Sequence, residues 1–139
     1  MTAYFDTSAL FKLAVPESGT EAADRVWDTG GAPFASLIGY TELHAALGRA
    51  VRDGRDVGIG WVAIEDLWGQ VTPVAVDAEL VRWAARLAVR YGLRTLDAVH
   101  LASALVIAKV DAEMAFVTFD ARLRTAAAAE GFLVLPVVV

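Results

Sequence analysis

Two periodicities alternate along this chain. Short apolar runs that end at polar or acidic residues are followed by longer stretches in which apolar residues recur every three or four positions. The first run, AYFD at 3–6, predicts a strand, and SALFKLAV after it predicts a helix that Pro16 ends, because the proline ring cannot continue the hydrogen-bond ladder. Ser18 and Glu21 have the spacing of a capping box and predict a second helix ending near Gly30 and Gly31. A strand at 33–35 precedes a long helix from Ser36 to Asp53, on which Leu43, Leu47 and Val51 keep helical spacing. Residues 57–70 predict another helix, with Trp61, Ile64 and Trp68 on one stripe.

Val71–Val76 reads as a strand. Asp77 then caps a helix over 78–91, which Gly92 closes. Thr95 opens a helix over 96–109 whose sequence LDAVHLASALVIA is apolar on nearly every face, the mark of a buried helix. Ala115–Thr118 is a strand, 120–129 a helix stopped by Gly131, and 132–138 a last strand in which Pro136 favours an edge position. Strands alternating with helices predict an α/β fold with a mostly parallel sheet covered on both faces. Sites in such folds lie at the carboxyl ends of the strands.

The length of 139 residues predicts one domain, 1–139, large enough to build a sizeable core. Hydrophobic residues make up 57% of the chain, which excludes intrinsic disorder and leaves apolar surface in search of a partner. Seventeen Asp and Glu against 12 Lys and Arg give a net charge of −5, which argues against a non-specific nucleic-acid binder. The absence of cysteine excludes disulfides and thiolate metal sites. The opening MTAYFD lacks the basic start of a signal peptide, and no apolar stretch is long enough to span a bilayer, so the expected location is the cytoplasm.

Asp6, Glu42, Asp97 and Asp120 fall where this map brings strand ends and helix starts toward one sheet edge. An Asp at a helix start is also a cap, satisfying free amides and the helix dipole by about 0.5–2 kcal/mol. Capping does not account for Glu42, which the predicted helix places beyond its first turn, although a Glu there ordinarily lies on a solvated face. The residues alone leave caps and site both open. If the acids do cluster, two carboxylates ~4 Å apart repel by roughly 4 kcal/mol at an effective dielectric of 20. A cluster therefore holds protons or a cation, and an all-oxygen donor set selects Mg²⁺, or Mn²⁺, over zinc. Such an ion orients a water and neutralises charge on a phosphodiester.

At these acids the chain resembles the PIN-domain family, and within it the VapC-type toxin ribonucleases of bacterial toxin–antitoxin pairs. The resemblance is carried by YFDTSALFKLAVPESGTE (4–21), ASLIGYTELHAAL (35–47), RTLDAVHLASAL (94–105) and FVTFDARLRTAA (116–127), in the family's order. It implies a three-layer α/β/α sandwich around a five-stranded parallel sheet. It also implies a Mg²⁺-dependent endoribonuclease that leaves 5′-phosphate and 3′-hydroxyl ends and inhibits translation. By position Asp6, Glu42, Asp97 and Asp120 would be the catalytic acids, with Asp6, Asp97 and Asp120 on the metal. Ser8 and Thr118 would orient carboxylates or water. A homodimer face and a groove for an antitoxin that neutralises the enzyme are implied as well.

Arg82, Arg86 and Arg90 at i, i+4 spacing, continued by Arg94, and Arg49, Arg52 and Arg55 after the Glu42 helix, are candidate contacts to an RNA backbone. Each is also an ordinary residue for a solvated helix face. The Trp61, Ile64 and Trp68 stripe and the SALFKLAV helix carry the apolar excess, with core packing the expected use of the aromatics. His44 and His100 read as packing or surface residues rather than general bases. A competing reading is a non-catalytic module of the same fold that binds RNA or protein and uses its acids as caps. A phosphotransfer enzyme fits less well, since a haloacid-dehalogenase-type phosphatase needs Asp where Ser8 stands, and a receiver domain needs an Asp-terminated strand near position 50, where this chain predicts helix.

Overall fold

The computed structural model describes residues 2–138, so the ends of the predicted 1–139 domain, Met1 and Val139, lie outside the described residues. The chain runs β1 (Ala3–Phe5), α1 (Thr7–Ala14), α2 (Thr20–Trp27), β2 (Pro33–Ser36), α3 (Gly39–Arg52), α4 (Gly60–Trp68), β3 (Thr72–Val74), α5 (Ala78–Tyr91), α6 (Thr95–Ala108), β4 (Ala115–Val117), α7 (Ala121–Ala129) and β5 (Leu133–Leu135). The strands form one five-stranded sheet in the order β3-β2-β1-β4-β5. Every pairing is parallel. The three-layer α/β/α architecture expected from the sequence is present.

Alternation along the strands sorts the core into two halves. Ala3, Phe5, Ala35, Ala115 and Val117 face one side, where they pack with residues of α1, α3 and α4 such as Leu10, Leu43 and Ile64. Tyr4 and Phe116 face the other, against Leu87 of α5, Leu101 and Ala102 of α6 and Leu123 of α7. Residues 98–104 of α6 are buried without interruption, as its all-round apolar sequence requires.

The topology fixes where a site can form. The chain winds outward from β1 through β2 to β3, returns through α5 and α6 to β4 beside β1, and leaves for β5 in the opposite direction. The crevice opens where the winding reverses, at the carboxyl ends of β1 and β4.

Several boundaries differ from the sequence-based expectation, each for a local reason. The long helix does not begin at Ser36, because β2 pairs with β3 through Ser36↔Val74 and Leu37 still donates its N–H to Val74. The sheet claims that backbone, so α3 starts at Gly39, and Glu42 lies in its first turn rather than beyond it. The last strand stops at Leu135 instead of 138, since its partner β4 ends at Val117 and offers no further ladder. Its place at the edge of the sheet matches the reading of Pro136.

The Ser18 capping box does not form. Gly19 is the cap residue of α2, in the left-handed region at φ 95°, and a Cβ there would stand 3.1 Å from Lys12 and Phe119. Thr20 secures this turn instead: its hydroxyl donates to the Lys12 carbonyl at 2.8 Å and accepts from the Glu17 N–H at 2.9 Å. That α2 ends at Trp27 reflects the turn through Thr29 and Gly30. The tryptophan stripe of α4 divides as well, for Ile64 is buried while Trp61 is 62% exposed. Among the described residues no helix is long and apolar enough to cross a membrane.

Phe116 is fully buried on β4 between Tyr4 and Phe132, with ring centroids 5.2 Å and 5.5 Å away. Phe116→Ala is expected to lower unfolding free energy by about 3–5 kcal/mol, read as an earlier urea midpoint with an unchanged slope. A loss below about 1 kcal/mol would show that the core collapses around this site without needing the ring.

Candidate active site

The first acid is set by the junction of β1 with α1. Asp6 is 3% exposed, and its Oδ1 accepts from the Ala9 N–H at 3.0 Å, capping α1, and from the Ser8 hydroxyl at 2.7 Å. The Thr118 hydroxyl donates to its Oδ2. Ser8 and Thr118 also accept from the next strand-to-helix turn, taking the N–H groups of Phe119 and Asp120 at 3.1 Å each. Two hydroxyls thus tie the end of β1 to the end of β4. Burial pushes the Asp6 carboxyl up, opposed by His100 and by its hydroxyl and amide donors.

Asp120 caps α7 by accepting from the Leu123 N–H at 2.9 Å. Asp97 stands in the first turn of α6. Its carboxyl is held above the usual range by burial and by the neighbouring Asp120. Arg94, just before α6, spans this pair, with Nε 3.6 Å from Asp97 Oδ2 and Nη2 4.0 Å from Asp120 Oδ2. Its side chain is 76% exposed, so this contact is weak and screened.

Glu42 has different surroundings. Its Oε1 accepts from the Thr7 hydroxyl at 2.7 Å and lies 2.6 Å from His100 Nε2. Burial alone would raise the Glu42 carboxyl, but His100, Thr7 and Arg49 outweigh it and hold the group below its ordinary value. For His100, burial disfavours the charged ring, yet the bond and charge of Glu42 prevail and raise it.

All four acids line one open cleft of about 290 Å³, together with Thr7, Ser8, Lys12, Glu17, Arg49 and His100. Arg49 is the only RNA-contact candidate on this wall among the described residues. Arg52 lies exposed at the end of α3, and Arg82, Arg86 and Arg90 stand on the exposed face of α5 away from the cleft. Arg90 is 3.5 Å from Glu130. Sequence reasoning set His100 aside, but it is buried and belongs to this site. The signal was its i, i+3 spacing from Asp97, which puts both on one face of α6. His44 behaves as expected, bonding the Tyr40 carbonyl at 2.7 Å and Glu65 at 3.2 Å away from the acids.

The donor set suits a hard divalent ion, since every free ligand in the cleft is a carboxylate or hydroxyl oxygen. The acids are not drawn into a closed cage, and no three acid or histidine groups among the described residues reach metal-binding proximity. Arg94 stands beside Asp97 and Asp120, and its exposure leaves their charge only weakly offset.

The sequence model of the PIN domain matches residues 3–129. The chain belongs to the PIN domain family. Within that family it is similar to Ribonuclease VapC49 of Mycobacterium tuberculosis, with 38% identity over 140 residues, covering 96% of this chain and 94% of that protein. The structure of M. tuberculosis VapC20, a sarcin-ricin loop cleaving toxin, superposes with a TM-score of 0.69 at 19% identity over 95% of this chain and 96% of that one. A toxin–antitoxin complex from Klebsiella pneumoniae gives a TM-score of 0.62 at 20% identity over 85% and 86%. This PIN domain is of the VapC type, and its acid cleft lies at the switch point of the shared fold.

Because the folded state raises the Asp97 carboxyl, it binds that proton more tightly than the unfolded chain does. The ionised group therefore costs stability as pH rises from its ordinary value through the raised one. In metal-free buffer Asp97→Asn should melt at a higher temperature than the parent protein at pH 7. The difference should vanish below about pH 4, where both forms are neutral. A lower melting temperature for the variant at neutral pH would contradict this account.

Proposed function

We propose that this PIN domain is a Mg²⁺-dependent endoribonuclease, the toxin of a toxin–antitoxin pair, which inhibits translation by hydrolysing RNA in the cytoplasm. The observation that carries the reading is the convergence of Asp6, Glu42, Asp97 and Asp120 on one cleft, with the Asp97 carboxyl raised by burial and by its neighbour Asp120. Relatives named Ribonuclease VapC support it.

Asp6, Asp97 and Asp120 would hold the ion, with Mn²⁺ a substitute. When bound, a divalent cation supplies an acidified water and offsets charge on the phosphodiester. Ser8 and Thr118 keep the Asp6 carboxylate fixed through their hydroxyls. The Glu42 Oε2 carries no hydrogen bond from the described residues and remains an acceptor for water or a ribose hydroxyl. Arg49 on the cleft wall offers the phosphate backbone a positive contact, whereas Lys12 beside it is paired with Glu17 at 2.8 Å.

Purified protein is expected to cleave RNA with Mg²⁺ and to stop with EDTA, leaving 5′-phosphate ends. Thr118→Val should reduce cleavage by about 10–100-fold, and Asp97→Asn by at least as much. Mg²⁺ at 100 times its Kd should stabilise the fold by about 2.7 kcal/mol, an effect lost in Asp97→Asn. Intact RNA in every divalent metal would reject the enzyme reading and favour a binding module.

An antitoxin and a second copy of the chain are the proposed protein partners. Unpaired carboxylates attract a guanidinium, the role Arg94 takes weakly here. Tyr40 of α3, Trp61 and Val62 of α4, and Leu37 and Ile59 just before these helices are exposed apolar residues for a copy of the chain. Sedimentation should report twice the 14.8 kDa chain mass, and Trp61→Asp should return a monomer. A parent protein that sediments as a monomer at all concentrations would remove the dimer.

A further inference from the structure

The least expected group in the molecule is an imidazole in the middle of its most buried helix. His100 is 3% exposed, between Val99, Leu101 and Ala102, where a leucine would pack without any polar atoms to satisfy. Both ring nitrogens are nevertheless partnered. Nδ1 lies 2.7 Å from the Tyr4 hydroxyl and Nε2 lies 2.6 Å from Glu42 Oε1. The Tyr4 oxygen in turn accepts from the Ser36 N–H at 3.1 Å. A chain of contacts therefore runs from the backbone of β2 through β1 and α6 to the carboxylate on α3.

The direction of these bonds follows from what each atom can do. An ionised carboxylate only accepts, so Nε2 carries a hydrogen that it donates to Glu42. Nδ1 then accepts the Tyr4 proton in the neutral ring or donates to the Tyr4 oxygen in the charged one. Either way the bond to Oε1 is preserved. Thr7 approaches the same oxygen at 2.7 Å from α1, so two donors converge on Oε1 and fix the plane of the carboxylate.

We propose that His100 is a positioning residue: its Nε2–H holds Oε1 of Glu42 so that Oε2 stays turned to the cleft as an acceptor for water or a ribose hydroxyl. One turn of α6 then governs two acids of the cleft, Asp97 directly and Glu42 through the imidazole ring. The inference rests on the ribonuclease reading, and it adds a polar group that works without touching substrate.

Two amide replacements separate positioning from packing. The amide nitrogen of asparagine falls near Nδ1 and that of glutamine near Nε2. His100→Asn keeps a partner for Tyr4 but loses the donor to Glu42. His100→Gln keeps that donor. Cleavage kinetics with Mg²⁺ should show kcat falling about 10–100-fold in His100→Asn with KM for RNA within about 3-fold, and His100→Gln should recover about 10-fold of the loss. In a Glu42→Gln background, His100→Asn should add little, because the two residues act as a unit. Melting temperatures of the two histidine variants should be alike.

Nitrogen-15 NMR of the metal-free protein supplies a readout that needs no activity. The His100 Nε2 resonance should report a protonated, hydrogen-bonded nitrogen that shifts in Glu42→Gln. Full kcat in His100→Asn, equal losses in both histidine variants, or additive effects with Glu42→Gln would overturn the proposal. So would an Nε2 signal indifferent to Glu42. A parent protein that leaves RNA intact would overturn the ribonuclease reading itself, and the NMR measurement would still decide whether His100 holds Glu42.

Discussion

A carboxylate buried where the central strand ends constrains most of this structure. Asp6 is almost inaccessible, and an unpaired charge there would be expensive to desolvate. Three donors make it tolerable: the Ala9 amide and the Ser8 and Thr118 hydroxyls. Each donor imposes a position. Ala9 starts α1 at a fixed angle, Ser8 reaches across to the backbone of Phe119, and Thr118 brings the end of β4 against the end of β1. The pairing of Phe5 with Val117 and the bond from the Asp6 N–H to Val117 O finish the same joint. Capping and site chemistry are not alternatives at Asp6, since the group that begins the helix is also the floor of the cleft.

The remaining acids are managed in two ways, and the difference organises the site. Glu42 is satisfied internally by Thr7 and His100, so its charge is favoured and its orientation is set by the protein. Asp97 and Asp120 are left close together with only an exposed arginine between them, so burial and its neighbour hold Asp97 above its ordinary range. One half of the cleft is finished by the fold, and the other is left with carboxylates met only by the exposed Arg94. The net charge of −5 is thus a poor description of the surface a polyanion would meet. Asp6 is buried, Glu42 is closed on His100, and the exposed Arg49 stands on the cleft wall.

Much of this was legible in the chain. The alternation of Ala3, Tyr4 and Phe5, and of Ala115, Phe116 and Val117, assigns each side chain to a face of a two-sided core. Asp77 and Gly92 bracket α5 as read, because both work through local backbone geometry. AVHLASA (98–104), the middle of LDAVHLASALVIA, is buried because its apolar residues leave no solvated face. The misreadings share one cause. Ser18 has capping spacing, but the turn before α2 is closed by Thr20 reaching back to α1. Ser36 looked like a helix start, but its backbone belongs to the ladder with β3. Trp61 shares a stripe with Ile64, yet only Ile64 meets the sheet side of α4.

The sequence by itself determined the layers, the order of elements and the identity of the acids, because periodicity, caps and breakers act over a few residues and need no partner. The tertiary structure decided which acids share a charge environment and which are already satisfied. That required the winding reversal between β1 and β4, which brings residues 6, 97 and 120 into one crevice. It also required the approach of α3 to α6, which closes Glu42 on His100 across 58 positions of chain. A hydrogen bond between two such positions leaves no local pattern on either segment, so only the packed molecule shows that the histidine belongs to the site.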